Sequence, residues 1–253
     1  MEPSAVYSPD RSLKGKARRR LVRLFERRAA RGTLERPMVS FTFDDAAASA
    51  LLTGRAALEA RGARGVYYIA ADLAGRLGPP GRFGSRDEIC AASAAGHEIA
   101  CHTFSHLDCG AADRAAIEAD VLRNHAALQA WGLARPTTFA FPYGDVSLAA
   151  KQALGGRFDV LRALHRGVIE DGADLNQVPA VGIEGERGAQ TALHWLRVAA
   201  ARKAWLILYT HDVAETPSQW GCTPGALEGL IDAARSGGFD IVTVADGVRR
   251  FGG

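Results

Sequence analysis

The chain has 253 residues, of which 47% are hydrophobic and 23% charged, so it can bury a sizeable core. This composition excludes disordered and fibrous proteins, and no apolar run approaches the roughly 20 residues that a membrane-spanning helix needs. The net charge of +3 is unevenly placed, because residues 11–31 carry +9 and the remainder carries −6. We therefore predict a basic N-terminal extension, partly helical, over residues 1–36, and a single domain over 37–253.

Beyond Pro37 the sequence alternates between strand and helix. Short apolar runs predict buried strands at 38–43, 65–70, 97–101, 137–141, 158–164, 205–210 and 240–245. Ala/Leu-rich or amphipathic segments between them predict helices at 49–61, 87–95, 111–131, 146–154, 189–203 and 224–236. This alternation favours a parallel sheet covered by helices, closed into a distorted barrel, with an open doubly wound sheet as the alternative.

The conspicuous polar residues directly follow predicted strands. An acidic pair, two histidines, a Pro-Tyr-Gly turn and a His-Asp pair occupy such places: Asp44-Asp45, His102 and His106, Pro142-Tyr143-Gly144, and His211-Asp212. The carboxyl ends of parallel strands meet on one face of this kind of fold, where active sites are built. The sequence thus predicts one site that gathers all four.

The segment HTFSH places two imidazoles four residues apart, at His102 and His106. On a helical turn this spacing puts both rings on one side, where their neutral nitrogens can share a divalent metal. One carboxylate of the acidic pair would complete a facial triad that leaves positions open for water and substrate. The other could accept a proton from water, and His211 could supply an acid. These groups are typical of a metal-dependent hydrolase.

The motifs FTFDD (41–45), HTFSH (102–106), FPYG (141–144) and LILYTHD (206–212), in this order, resemble those of the polysaccharide deacetylases. This is carbohydrate esterase family 4, or the NodB-like domain. The resemblance covers about residues 37–248 and implies a distorted (β/α)7 barrel. It also implies a hydrolase that removes acetyl groups from an N- or O-acetylated carbohydrate.

The resemblance further implies a role for each matching residue. Asp44 would be the general base, and His211 would protonate the leaving amine or alcohol. The backbone N–H of Tyr143 would help to stabilise the oxyanion. A divalent metal, most often zinc but in some members cobalt, nickel or manganese, would be held by three ligands: Asp45, His102 and His106.

Four positions depart from the family pattern. Ala46 stands where a Gly usually follows the acidic pair, so the turn needs either strain or a φ that is not positive. Ala140 stands where an Arg often orients the base, as in a sub-branch with FAFPYG, and Tyr209 replaces a Leu of the acetate pocket. No Asp/Trp motif is recognisable in 171–184, which leaves Asp174 as a weak candidate partner for His211.

Two other functions stay open from the sequence. A related amidohydrolase could act on a ureide or cyclic imide instead of a sugar. A catalytically silent metal-site module could serve binding alone, although Asp44 and His211 argue against it because neither is needed to hold the metal.

The basic segment 11–31 is the other open feature. Its Leu21, Val22, Leu24 and Phe25 could form one face of a short amphipathic helix that packs on the body or on a second subunit. An anionic polysaccharide, a lipid-linked glycan at the inner membrane and a homodimer contact are all open as partners, whereas nucleic acid is not expected. Without a signal peptide or an apolar span, we expect a cytoplasmic protein, with peripheral attachment at the inner membrane open.

Overall fold

The computed structural model describes residues 20–251. Eight parallel strands form the main sheet in the order β7-β6-β5-β2-β1-β9-β8, with β10 also pairing with β1. The strands are β1 (Met38–Asp44), β2 (Val66–Ile69), β5 (Glu98–Cys101), β6 (Thr138–Ala140), β7 (Val160–Arg162), β8 (Val181–Gly182), β9 (Trp205–Thr210) and β10 (Asp240–Ile241), and a small hairpin adds β3 (Leu77–Gly78) and β4 (Gly81–Arg82).

Helices cover the outside of this sheet. They are α1 (Arg55–Glu59), α2 (Arg86–Ala94), α3 (Arg114–Ala130), α4 (Leu148–Leu154), α5 (Gly188–Arg202), α6 (Pro224–Ser236) and α7 (Val244–Arg250). A π-helical turn, Ala50–Gly54, leads into α1, and short 3-10 turns lie at Val22–Leu24, Ala71–Leu73 and Pro142–Gly144. Within residues 20–251 we find no helix that is both long and apolar enough to cross a membrane.

The central strand β1 is buried on both faces. Side chains alternate along a strand, so Phe41 and Phe43 face the helices, where they pack with Leu58 of α1 and Leu230 of α6. The intervening positions face inward, and Met38 packs there with residues of two strands that are not its neighbours, Ala140 of β6 and Val160 of β7. The sheet therefore encloses an interior of its own.

A contact between distant strands shows how strongly the sheet is curled. Arg162 ends β7, and Asp44 ends β1, four strand spacings away in the sheet order. In a flat sheet that separation would be roughly 19 Å. Instead, the Arg162 Nη2 atom lies 2.5 Å from the Asp44 Oδ1 atom.

The gap between the edge strands β7 and β8 is spanned by irregular backbone. Residues 175–180, which lead into β8, exchange hydrogen bonds with β7 and the residues after it: Val178 N–H donates to Leu161, and Ala163 N–H donates to Val178. The sheet is thus a half-barrel with helices around it. This confirms the distorted barrel and removes the open doubly wound alternative.

The end of the chain differs from its sequence-based prediction. The apolar run 240–245 was expected to be one strand, but only Asp240–Ile241 pair with β1, and α7 begins at Val244. Thr243 causes the change because its hydroxyl accepts the N–H of Asp246 at 3.2 Å and caps the helix. The residues after this capping threonine thus begin a helix instead of continuing the strand.

The basic segment 11–31 is described from Arg20 onward, and residues 11–19 lie outside the described residues. Arg20 and Leu21 are helical and are followed by a 3-10 turn at Val22–Leu24, so the amphipathic helix suggested by the sequence stays a prediction. Val22 is buried against the body, whereas three apolar neighbours are more than half exposed: Leu21, Leu24 and Phe25. Of these four apolar residues, only Val22 packs on the domain.

A buried lysine joins this segment to the domain. Lys151 Nζ donates to the carbonyls of Val22 and Phe25 at 3.2 and 2.7 Å and pairs with Asp174 Oδ2 at 2.6 Å. The other oxygen of Asp174 accepts the N–H of Arg28 at 3.0 Å. The described part of the basic segment is therefore bound to the body of the fold.

Candidate active site

The residues of the four sequence motifs lie at the carboxyl ends of strands. Asp44 ends β1 and Asp45 follows it, His102 and His106 follow β5, and His211 follows β9. Tyr143 follows β6 in the turn Pro142–Gly144, and its ring lies 4.5 Å from the His106 ring, centroid to centroid. The strands thus bring the separate motifs to one face, as expected from a parallel sheet.

Three of these residues present ligand atoms to a common point. Asp45, His102 and His106 each offer one atom, and the three atoms lie within 4.8 Å of one another. Asp45 Oδ1 is 3.6 Å from His102 Nε2 and 3.2 Å from His106 Nε2. This oxygen is buried and accepts no hydrogen bond within the described chain. A carboxylate oxygen facing two imidazole nitrogens fits a divalent cation with open coordination positions.

The surroundings of His102 prepare it to be a metal ligand. Its Nδ1 lies 2.8 Å from the carbonyl oxygen of Ala140, to which it donates, so Nε2 keeps a lone pair on the side of Asp45. Burial, followed by the nearby His106, lowers the pKa of His102 to about 4. The imidazole is therefore neutral at physiological pH, as metal binding requires.

The two histidines are joined by a loop, and not by the helical turn expected from their spacing. Asp120 of α3 supports this loop, because its Oδ1 accepts the N–H groups of Phe104 and Ser105 at 2.7 and 2.9 Å. Its Oδ2 also accepts the hydroxyl of Ser105 at 2.9 Å. The His102 and His106 ring centroids are nevertheless 5.0 Å apart, so the predicted proximity holds although its geometric reason was wrong.

Left-handed backbone conformation is concentrated around the site. Of the seven non-glycine residues with positive φ in the described chain, five lie in the strand-end loops: Asp45, Ala46, Thr103, His106 and Tyr143. Ala46, at φ 48°, thus makes the turn after the acidic pair with strain, one of the two options that the sequence left open. Such a conformation costs a residue with a side chain about 1–2 kcal/mol.

Asp44 is held by an arginine that the sequence motifs did not identify. Arg162 and Asp44 are both buried, and the Arg162 Nη2 atom donates to Oδ1 at 2.5 Å. Burial alone would raise the pKa of Asp44, but the charge of Arg162, then those of His102 and His211, hold it below its ordinary value. Asp44 therefore remains an ionised carboxylate despite its burial.

The position of Arg162 accounts for the alanine in the third motif. Arg162 of β7 pairs in register with Ala140 of β6, so both side chains lie side by side on the inner face. The guanidinium carbon lies 4.9 Å from the Tyr68 ring centroid and 5.3 Å from that of Tyr209. The small Ala140 leaves room for a guanidinium that comes from the next strand.

His211 also has a charged partner. Its Nδ1 lies 2.9 Å from Glu184 Oε1, two residues beyond β8. Burial would lower the pKa of His211, but the hydrogen bond with Glu184 and the charges of Asp44 and Asp45 raise it to about 9. Asp174, the candidate suggested by the sequence, is wrong as the partner, because it pairs with Lys151.

Sequence reasoning thus missed Arg162 and Glu184. A signal for Arg162 was present, since it is a charged residue between the apolar Leu161 and Ala163 in the run FDVLRAL that was predicted as a strand. A charge within a fully buried strand needs a partner. Glu184 gives no comparable signal, because it lies in an irregular stretch with several other acids.

Comparison with known proteins was consistent with this geometry. Residues 31–155 match the model of a family described as Polysaccharide deacetylase. A chitin deacetylase from the fungal pathogen Colletotrichum lindemuthianum has a similar structure, with a TM-score of 0.60 and 17% identity over 85% of this chain and 88% of its own. A family 4 acetyl xylan esterase from Clostridium thermocellum, solved with a cobalt ion, gives 0.56 and 21% over 83% and 89%. No curated protein sequence matched significantly.

The family match and the shared half-barrel define the class. Residues 31–155 carry the match to the polysaccharide deacetylase family, and the described chain shares the NodB-like half-barrel fold of the carbohydrate esterase family 4 structures. These matches support a carbohydrate deacetylase, a hydrolase, as the sequence motifs predicted.

Proposed function

We propose that the chain is a metal-dependent hydrolase that removes acetyl groups from an N- or O-acetylated carbohydrate. One observation supports this above the others. Beside the three ligand residues, both Asp44 and His211 have a charged partner of their own, Arg162 and Glu184. A site that only bound metal would need neither pair.

The metal is proposed to be zinc, with cobalt, nickel and manganese as alternatives. Asp45, His102 and His106 would hold it, since one carboxylate and two neutral imidazoles suit these ions. When bound, such an ion supplies Lewis-acid polarisation of the acyl oxygen and lowers the pKa of water to near neutrality.

Asp44 is proposed as the general base. It is ionised in the site, and its hydrogen bond with Arg162 fixes the carboxylate orientation. The carboxylate would accept the proton of the attacking water, while Arg162 acts as a positioning residue. Arg162 thus takes the place that the family resemblance gives to an arginine in the third motif.

His211 is proposed as the general acid. The raised pKa keeps the imidazole protonated at neutral pH, with Glu184 holding Nδ1, so a proton is available for the leaving amine or alcohol. The backbone N–H of Tyr143, in the left-handed turn after β6, would donate to the oxyanion of the tetrahedral species.

The two other functions are less well supported. The family match and the shared fold favour a carbohydrate deacetylase over an enzyme for ureides or imides. The Asp44–Arg162 and His211–Glu184 pairs oppose the silent module, because they orient groups that have a use in proton transfer and none in metal binding.

Metal content and three variants test the mechanism. Purified protein should contain about one divalent ion per chain, and His106→Ala should lose it. Asp44→Asn should keep the metal and lose about 10²–10⁴-fold in kcat, whereas Asp45→Asn should lose both. Stoichiometric metal in His106→Ala, or a fully active Asp44→Asn, would contradict the proposal.

The substrate class is tested by acetate release from a panel of acetylated glycans, with allantoin and a cyclic imide as controls. We expect acetate from at least one glycan and no turnover of the controls. Hydrolysis of the imide or allantoin, with no acetate released from any glycan, would favour the amidohydrolase alternative.

Three expectations from the sequence remain proposals. They are the division at residue 36 into a basic extension and a catalytic domain, the cytoplasmic location with or without peripheral contact at the inner membrane, and a homodimer. Limited proteolysis, fractionation and sedimentation of the full chain test them in turn.

A further inference from the structure

Three adjoining cavities run from the candidate active site to the basic segment. The first, about 160 Å³, is lined by Glu184 and Tyr209 at the site and extends to Arg166. The second, about 230 Å³, begins at Gly144 beside Tyr143 and reaches Arg23. The third, about 330 Å³, lies between Arg166 and Arg23. Because neighbouring cavities share lining residues, they form one groove.

The groove is lined by four arginines: Arg23, Arg27, Arg166 and Arg187. Arg27 donates one hydrogen bond, to the carbonyl of Gly172. For Arg23, Arg166 and Arg187 we find no side-chain partner within residues 20–251. All four residues are exposed, and each has guanidinium donors left for a ligand.

The acidic residues of the groove do not offset this charge. Asp174 is paired with Lys151 at 2.6 Å, and Glu184 with His211 at 2.9 Å. The groove is therefore positively charged over its length, while the rest of the chain beyond residue 31 is acidic. Such local charge raises the concentration of an anionic ligand and strengthens its binding.

The lining also argues against a neutral glycan as the best ligand. Among the described lining residues, Tyr209 is the only Phe, Tyr or Trp, and its ring is covered by Arg162. A flat apolar platform for sugar rings is therefore missing. Arginine forks, by contrast, match carboxylate and phosphate groups geometrically.

We propose that this groove binds an acidic glycan, whose carboxylate- or phosphate-bearing sugars contact Arg166, Arg187 and Arg23 while an acetylated residue occupies the site. The inference rests on the proposed deacetylase function and names its substrate class. It also assigns a role in ligand binding to the described part of the basic segment, since Arg23 and Arg27 line the end of the groove that is farther from the site.

Binding without turnover tests the groove directly. The metal-loaded full chain is titrated with non-acetylated oligogalacturonate, its fully methyl-esterified form, and a phosphorylated oligosaccharide of similar length. We expect the charged ligands to bind at least tenfold more tightly than the ester, with affinity falling as salt rises. Whichever charged ligand binds more tightly shows whether the groove prefers carboxylate or phosphate groups.

Variants localise the binding. Arg166→Gln and Arg187→Gln should each weaken binding about tenfold, whereas Arg197→Gln should not. Arg197 is a matched control because it is exposed on α5, the helix that follows Arg187, but lies outside the groove. Equal affinity for the ester, equal effects of Arg197→Gln and Arg166→Gln, or tighter binding of a single-stranded DNA of the same charge would overturn the proposal.

The same samples separate the two proposals. If no acetylated glycan releases acetate but binding still depends on Arg166 and Arg187, the deacetylase function fails and the groove assignment holds. If acetate is released from acetylated glycans but Arg166→Gln and Arg187→Gln bind the charged ligands as tightly as the unchanged protein, only the groove assignment fails. If both hold, Arg166→Gln should raise KM for acetylated polygalacturonate and leave kcat unchanged.

Discussion

Arg162 and Ala140 are register partners on adjacent strands, and the guanidinium of Arg162 fills the space beside the alanine to reach Asp44. An arginine usually expected on one strand is thus supplied by its neighbour. The proposed positioning role of Arg162 would keep in space a function that the third motif no longer carries.

Removing this arginine should affect both stability and activity. Arg162→Met leaves the Asp44 carboxylate buried without its partner, which costs about 3–5 kcal/mol of the free energy of unfolding. The pKa of Asp44 would rise, and because the base works in its ionised form, the acid limb of kcat/KM should move to higher pH. Denaturant unfolding and a pH–rate profile measure the two effects.

The matched control is the double variant Asp44→Asn with Arg162→Met. Since it removes both charges, it should be less destabilised than Arg162→Met alone. Equal destabilisation would mean that Arg162 acts through packing and not through Asp44.

An exchange of positions should restore part of the function. In Arg162→Ala combined with Ala140→Arg, the guanidinium returns to the strand that the family resemblance indicates. We expect kcat to recover at least tenfold over Arg162→Ala, because the two positions are neighbours on the inner face. Acetate release by the two variants is compared, and no recovery would mean that strand β6 cannot direct an arginine to Asp44.

The alkaline limit of activity should depend on Glu184. As the proposed general acid, His211 would work while protonated, and its pKa of about 9 would keep activity up to that pH. Glu184→Gln removes the hydrogen-bonded carboxylate, so the pKa falls toward its ordinary value near 6.5 and activity is lost at lower pH. A pH–kcat profile measures the shift.

Glu186→Gln is the control for that profile, because Glu186 is a nearby exposed acid. Its alkaline limb should coincide with that of the unchanged protein. A Glu184→Gln profile that also coincides would remove Glu184 from the mechanism.

Metal removal should lower thermal stability through the Asp45–His102–His106 group. Zinc at about 100 times its Kd would contribute about 2.7 kcal/mol, which for a chain of this size is a Tm shift on the order of 5–10 °C. Calorimetry with and without a chelator measures it, and added zinc should restore the value. His106→Ala should be insensitive to the chelator, and an equal shift in that variant would contradict the site.

Lys151 should control how firmly the basic segment is held. Lys151→Met leaves Asp174 and two backbone carbonyls without their donor, which should destabilise the fold by about 3–5 kcal/mol and expose Arg23 and Arg27 to trypsin. Cleavage rates under native conditions measure the release. Lys203→Met, at an exposed position, should leave them unchanged, and equal rates in both variants would contradict the anchoring role.

The sequence predicted which residues meet at the site better than it predicted the contacts that hold them there. Strand-end placement and the motifs correctly brought together Asp45, His102 and His106. Arg162 and Glu184 were missed because their contacts depend on register and curl: 118 residues separate Arg162 from Asp44, and 27 separate Glu184 from His211. Neither relation is visible in local periodicity, which reports only on neighbours along the chain.

The left-handed residues around the site have a consequence for laboratory evolution. Selection for heat resistance favours glycine or asparagine where a side chain has positive φ. It would therefore act on the strand-end loops that hold the proposed catalytic and metal-binding residues. At Asp45 and His106 such replacements would remove proposed ligands. Ala46 contributes only a methyl group, so it is the place where such selection could relieve strain and leave the ligands in place.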